Sequence, residues 1–216
     1  MPIARLAVKR GSDLAVSLVS LAFLATPFLI VALAVKLDSK GPIFFRQERV
    51  GKGGEPFRIW KFRTMVEGAD RQGPAYDVVA RRDSRVTRVG RFLRNSGIDE
   101  LPQLLNVFWG TMSLVGPRPT IAYEVAHYDR IQRRKLLMKP GLTSLAIVSG
   151  RNALPLHERI RLDVLYVNHW SLWLDLKILL KTLWVVLVTR KGVYEDEDVR
   201  SFFEEPPVDT QDDGRS

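Results

Sequence analysis

From Leu14 to Val35 the chain reads LAVSLVSLAFLATPFLIVALAV, about 22 residues without a charge. Roughly 20 apolar residues cross a bilayer as a straight helix, so this stretch belongs in lipid or against a large apolar surface. It is too long for the apolar core of a signal peptide, and no small-x-small cleavage site precedes Lys36–Lys40, so it is expected to stay on the mature protein. Arg5, Lys9 and Arg10 precede it, and Lys36, Lys40, Arg46 and Arg49 follow it. With cations on both flanks, the positive-inside bias assigns the two ends to no opposite sides. Thr26-Pro27 offers a bend, because Pro27 removes a helical donor and disfavours helix at Thr26, whose hydroxyl can cover a freed carbonyl. A kinked helix that re-enters on one face and a tilted span with a tolerated proline fit this segment equally well.

At 216 residues the chain has room for one catalytic domain. The 33 Lys and Arg against 24 Asp and Glu give a net charge of +9, which points to phosphates, nucleic acid or an anionic membrane face. Without cysteine there is no disulfide framework and no thiolate metal site, and His127, His157 and His169 lack ligand spacing. The organisation expected is α+β. A basic-flanked membrane helix occupies 1–38, a catalytic domain 39–194, and an acidic, weakly ordered tail 195–216.

IFFRQERVG and FRIWKFRTM flank the glycine-rich GKGGEP and predict a β-hairpin. GKGG lacks the spacing of a phosphate loop. The polar stretch from Val66 to Ser84 reads as a loop. Arg85, Arg88, Arg91 and Arg94 then recur at three-residue spacing beside Val86, Val89 and Phe92, which predicts a basic helical stripe next to an apolar one. Such a stripe suits phosphate, lipid headgroups or plain solvation. Glu158–Val188 carries two helical patterns; the second, SLWLDLKILLKTLWVVLV, fits an interfacial amphipathic helix or a core helix.

The chemistry is concentrated in LRNSGIDELPQLLNVFWGTMSLVGPRP. Leu101, Leu104, Leu105 and Phe108 fall on one helical face, and Pro102 is cheap only in a first turn, so the helix is expected to start near Asp99. An acidic pair at a helix start is a common cap and dipole partner, which by itself accounts for Asp99 and Glu100. Their company adds phosphate chemistry: Arg94 lies upstream, Arg118 sits between Pro117 and Pro119, and Mg²⁺ commonly uses one or two carboxylates plus substrate phosphates.

With these residues in view, the chain resembles the bacterial sugar transferases, small monotopic phosphoglycosyl transferases that begin lipid-linked glycan assembly. The resemblance rests on GPIFFRQERVG, KFRTM, DSRVTRVGRFLRNSGIDELPQLLNVFWGTMSLVGPRP, KPGLTS, GRN and RLDVLYVNHWSLWLDLKILLKT. It implies that Asp99 attacks the sugar-proximal phosphate of a UDP-sugar, releases UMP, and passes the phosphosugar to polyprenyl phosphate. It further implies that Glu100 assists Mg²⁺ or the nucleophile, and that Lys61, Arg94 and Arg118 bind phosphate or nucleotide. The neighbouring arginines and Mg²⁺ are expected to keep Asp99 ionised at neutral pH. The implied setting is the cytoplasmic face of a bacterial inner membrane, among membrane lipids.

Three features depart from the family pattern. Thr26-Pro27 stands where the family's re-entrant helix usually has Ser-Pro and keeps both hydroxyl and kink, so the resemblance implies that the membrane helix of 1–38 is kinked and re-entrant; Ser144 stands where glycine is common, and Ile147 where glutamine is common. The single membrane segment matches the short family form. The sequence sets neither the sugar nor the oligomeric state, and a homodimer is compatible with it. A membrane-anchored nucleic-acid binder is disfavoured, since Phe92 alone interleaves the arginine stripe and no binding motif occurs; a non-catalytic assembly scaffold is disfavoured by the intact carboxylate pair.

Overall fold

A computed structural model describes residues 3–69, 83–150 and 154–184. Helix α1, Ile3–Asp38, runs unbroken through Pro27 and is about 54 Å long at 1.5 Å per residue. One stripe of it faces the rest of the chain: Lys9, Asp13 and Ser17, then Leu21 and Leu24, then Phe28, Val31 and Val35. The steps of three and four are those of a single helical face. The opposite face is bare, with Phe23 81% and Leu29 72% exposed.

Both ends of α1 are fastened to the same body. Lys9, counted in the sequence as a membrane-flanking cation, is buried; its Nζ donates to the Val115 carbonyl at 2.9 Å and to Asp175 at 2.6 Å. Arg10 donates to the Val107 and Phe108 carbonyls at 2.6 and 2.7 Å, capping the C-terminus of the helix Leu104–Trp109. Asp13 accepts the Leu114 amide at 3.0 Å. At the far end Asp38 accepts the Val89 amide at 2.9 Å. The guanidinium of Arg63 donates to the Val35, Ser39 and Pro42 carbonyls, covering the last turn of α1.

The expected hairpin is present. Strands β1, Phe44–Val50, and β2, Pro56–Phe62, pair antiparallel, with Gly53 and Gly54 at φ +73° and +89° making the turn. Asn106 ties the hairpin to the core: its side chain accepts the Trp60 amide at 3.0 Å and donates to the Arg58 carbonyl at 2.8 Å, standing in for a neighbouring strand.

The arginine stripe is not one helix. Thr87 caps α2, Arg88–Ser96, so Arg85 falls outside it and pairs with Asp83 at 2.8 Å. Gly90 lets α2 lie on the backbone of Thr64, which a Cβ would overlap. The helix predicted from Asp99 divides in two. A 3₁₀ turn covers Ile98–Gln103, and α3 proper runs Leu104–Trp109. Pro102 thus sits inside the tight turn; of the predicted face Leu104 is buried while Leu101, Leu105 and Phe108 are half-buried, and Asp99, Pro102, Gln103, Asn106 and Val107 are the other buried positions.

Strands β3, Ser113–Val115, and β4, Gly141–Thr143, form a short parallel pair. Between them lie α4, Ala122–Ala126, and a 3₁₀ turn, Gln132–Leu137. Helices α5, Leu145–Ser149, α6, Leu156–Asn168, and α7, Leu172–Trp184, complete the body. Ile59, Val107, Met112, Val115 and Tyr166 centre the core, with Leu21 and Leu24 of α1 against it. Helix α7 is built inside out: Asp175 and Ile178 are buried, while Trp173, Leu176, Leu180, Leu183 and Trp184 are exposed. Ser144 caps α5 through the Ile147 amide at 3.1 Å, a role a glycine there could not fill. Most of the polar Val66–Ser84 stretch and the acidic tail lie outside the described residues.

Candidate active site

Gly97 at φ +74° ends α2 in the left-handed conformation and starts the 3₁₀ turn, so one residue reverses the chain and delivers the acidic pair. Asp99 is 7% exposed and faces inward. Glu100 turns to a cleft lined by Arg49, Ile59, Lys61, Gln103, Arg118, Pro119, Gly141 and Leu142. Lys61 Nζ lies 2.8 Å from Glu100 Oε1, and Arg118 Nη2 lies 3.5 Å from the same oxygen.

The structure brings Glu100, Lys61 and Arg118 together in the cleft and buries Asp99 next to Glu100, within reach of the Lys61 and Arg118 charges. Arg94 stands behind them. Its Nε donates to Thr64 Oγ1 at 2.8 Å, and it reaches Asp99 through its charge. Two polar residues of the cleft were missed, Arg49 and Gln103. The strand period held the signal for Arg49, since its partner Phe57, and Gln47's partner Ile59, share a face with Lys61. Gln103 lies three residues beyond Glu100, about one turn of the 3₁₀ segment.

The electrostatics reverse one expectation. Burial, and then the charge of Glu100, push the Asp99 carboxyl up to about 6, against the opposing pull of Lys61, Arg94 and Arg118. Desolvation outweighs three cations because Asp99 is shut away from water while Lys61 and Arg118 are paired with Glu100 and Arg94 is turned to Thr64. Asp99 still ionises at neutral pH, but because 6 lies below 7 and not because its neighbours depress it. Burial and the Arg118 charge lower the Arg49 pKa, and its buried Nε has no hydrogen-bond partner among the described residues. The cleft thus holds three cations against one acid on its wall, an excess suited to a bound anion.

The carboxylates available to hold a divalent metal here are those of Asp99 and Glu100. No group of three or more His, Cys, Asp or Glu side chains that could hold a metal occurs among the described residues. Two adjacent carboxylates suit Mg²⁺ when substrate phosphates complete its shell, and they do not suit zinc.

A cationic cleft around Glu100, with Asp99 buried next to it, on a body carrying a long bare apolar helix, fits a membrane-associated enzyme that handles phosphorylated substrates. The chain belongs to the bacterial sugar transferase family, whose model matches residues 4–189, and is by class a phosphoglycosyl transferase. It is 46% identical over 202 residues to the UDP-glucose:undecaprenyl-phosphate glucose-1-phosphate transferase of Caulobacter vibrioides, covering 87% of this chain and 74% of that protein. It is 41% identical over 192 residues to the uncharacterized sugar transferase EpsL of Bacillus subtilis, covering 89% of this chain and 93% of EpsL. The Klebsiella pneumoniae UDP-glucose:undecaprenyl-phosphate glucose-1-phosphate transferase is 41% identical over 194 residues, 85% of this chain but 41% of that protein.

Proposed function

We propose that this protein transfers a sugar 1-phosphate from a UDP-sugar to undecaprenyl phosphate, releasing UMP, in two displacements through Asp99. The observation that carries the reading is the cleft in which Glu100 meets Lys61, Arg118 and Arg49, with the Asp99 carboxyl buried next to it under the charges of Lys61, Arg94 and Arg118. In the first displacement a carboxylate oxygen of Asp99 attacks the sugar-proximal phosphorus. An Asp99–phosphorus bond forms, and the bond to the UMP oxygen breaks. In the second, a polyprenyl phosphate oxygen attacks that phosphorus, the bond to Asp99 breaks, and polyprenyl diphosphosugar leaves with Asp99 restored. Splitting the transfer keeps two bulky anions from meeting in one step. Arg49, Lys61 and Arg118 neutralise the diphosphate and the leaving UMP. Asp99 and Glu100 would hold Mg²⁺, which supplies further neutralisation of the diphosphate when bound.

Incubated with UDP-glucose and Mg²⁺ alone, the protein is expected to release one equivalent of UMP and gain the mass of one phosphosugar. Undecaprenyl phosphate should then discharge the adduct. Steady UMP release with no adduct on Asp99 at any time would sink the covalent route.

The same reading places the catalytic body on the cytoplasmic face, with α1 entering and leaving the membrane there. Its support is that both ends of α1 are hydrogen-bonded to one body, through Lys9, Arg10 and Asp13 at one end and Asp38 at the other. The exposed Trp173, Leu176, Leu180 and Trp184 of α7, with Lys177 and Lys181 on the same face, suit an interfacial seat beside it. The chain has no cysteine, so single cysteines at Arg5 and Lys40 can report topology. Both should resist an impermeant thiol reagent in intact cells and react after lysis; labelling of either from outside would rule the arrangement out.

A further inference from the structure

Arg49 and Lys61 reach the cleft from paired strands, whereas Arg118 comes from the connection after β3. Three long-range bonds nevertheless hold that connection. Pro117 accepts the Gly141 amide at 2.9 Å, Thr120 accepts the Val50 amide at 2.8 Å, and the Arg118 amide donates to Asp163 Oδ2 at 3.1 Å. Proline has no N–H, so across Pro117-Arg118-Pro119 the Arg118 amide is the sole backbone donor.

The acceptor of that donor is unusual. Asp163, on α6, has a side chain 1% exposed, and Lys135, on the 3₁₀ turn Gln132–Leu137, meets the same Oδ2 at 3.0 Å with a side chain 3% exposed. Neither residue lines the cleft. A buried ion pair is commonly no more stabilising than an apolar pair of the same volume, because both charges must be desolvated. Its contribution here lies in what the carboxylate is aimed at.

We propose that Asp163, neutralised by Lys135, is a positioning residue that fixes the backbone of Arg118 so that its guanidinium stands over Glu100 in the substrate cleft. The proposal rests on the reading of Arg118 as a diphosphate-binding residue. It distinguishes two uses of one carboxylate: the charge answers Lys135, and the acceptor oxygen serves Arg118. Replacing the pair with neutral residues that keep the acceptor should therefore preserve binding, and replacing it with apolar residues should not.

Hydrogen exchange on the unaltered protein tests the contact directly: Pro117 and Pro119 carry no amide, so overlapping peptides that share an earlier start and end at residues 117 and 119 differ by the Arg118 amide alone. That amide should exchange at least ~100-fold more slowly than an unstructured one, and exchange at the unstructured rate would overturn the proposal. For the consequence, affinity for uridine diphosphate in Mg²⁺ buffer is compared between Asp163→Asn/Lys135→Met and Asp163→Leu/Lys135→Met. The first should stay within about twofold of the parent, and the second should weaken about tenfold, the size of one charge-assisted contact. Placed in an Arg118→Ala background, the Leu/Met pair should cost nothing more. Parental affinity in the Leu/Met protein, equal loss in both pairs, or a loss that adds to that of Arg118→Ala would each overturn the proposal. Parental affinity in Arg118→Ala itself would instead overturn the reading of the cleft, with amide exchange still reporting on Asp163. The exchange measurement needs no variant and decides the matter if the Leu/Met protein does not fold.

Discussion

Asp99→Asn should abolish phosphosugar transfer and, in the same protein, raise the melting temperature. An amide cannot serve as the attacking oxyanion, so the loss in turnover should exceed about 10³-fold. The gain in stability follows from burial. With its carboxyl pushed up from the ordinary 3.8 to about 6, folded Asp99 holds a proton between those values that the unfolded chain has released. Stability therefore falls as pH rises from about 4 to about 6 and stays reduced above that. The cost at neutral pH is on the order of 2–3 kcal/mol. Asparagine carries no such charge. Above pH 6 the variant should melt about 4–12 °C higher than the parent, and below pH 4 the two should converge. The first displacement in the parent should lose about tenfold per pH unit below 6, because only the ionised carboxylate attacks. A variant that is inactive but no more stable at pH 8 would show that burial does not set the Asp99 proton affinity.

The second large effect is expected at Gly141. A Cβ there would overlap the backbone nitrogen and Cα of Gly116, and a Cβ on Gly116 would in turn meet the carbonyl of Lys139. Backbone, unlike a flexible side chain, cannot swing aside, so β3 and β4 would have to part. Gly141→Ala should cost at least about 3 kcal/mol, at the upper end of overpacking effects. It should also widen the cleft, which Gly141 and Leu142 line. Gly11→Ala is the matched control. Nothing lies within 4 Å of a Cβ at Gly11, inside α1. There the helix propensity of alanine should leave the protein unchanged or more stable by up to about 1 kcal/mol. Thermal melts of both variants in one detergent check the contrast; equal melting temperatures would contradict the close approach of β3 and β4.

Much of this protein is legible in the residue order because its signals are local. The apolar run, the hairpin around GKGG, the two closing helices and the acidic pair follow from periodicity, turn chemistry and neighbouring residues. The family resemblance, carried by motifs such as DELPQL and VGPRP, extends that reading to the reaction class. Where the reading failed, a long-range contact had overridden a local rule. Lys9 and Arg10 look like membrane-flanking cations, but they are internal hydrogen-bond donors, because Asp175 and the end of α3 lie within their reach. The arginine stripe divides because Thr87 caps a helix that excludes Arg85, and the predicted helix at Asp99 becomes a 3₁₀ turn after a left-handed Gly97.

The sequence by itself determined that an acidic pair, a set of cations and a membrane helix belong to one chain, since residue identity and short-range spacing carry that information. Only the tertiary structure decided which cations serve the pair. Lys61 and Arg118 are brought to Glu100 by a hairpin register and a pinned loop, Arg94 is turned to Thr64, and Arg49 joins them from the facing strand. It also decided the proton affinity of Asp99. Desolvation depends on how much of the whole fold closes over a group, and no short stretch of sequence encodes that.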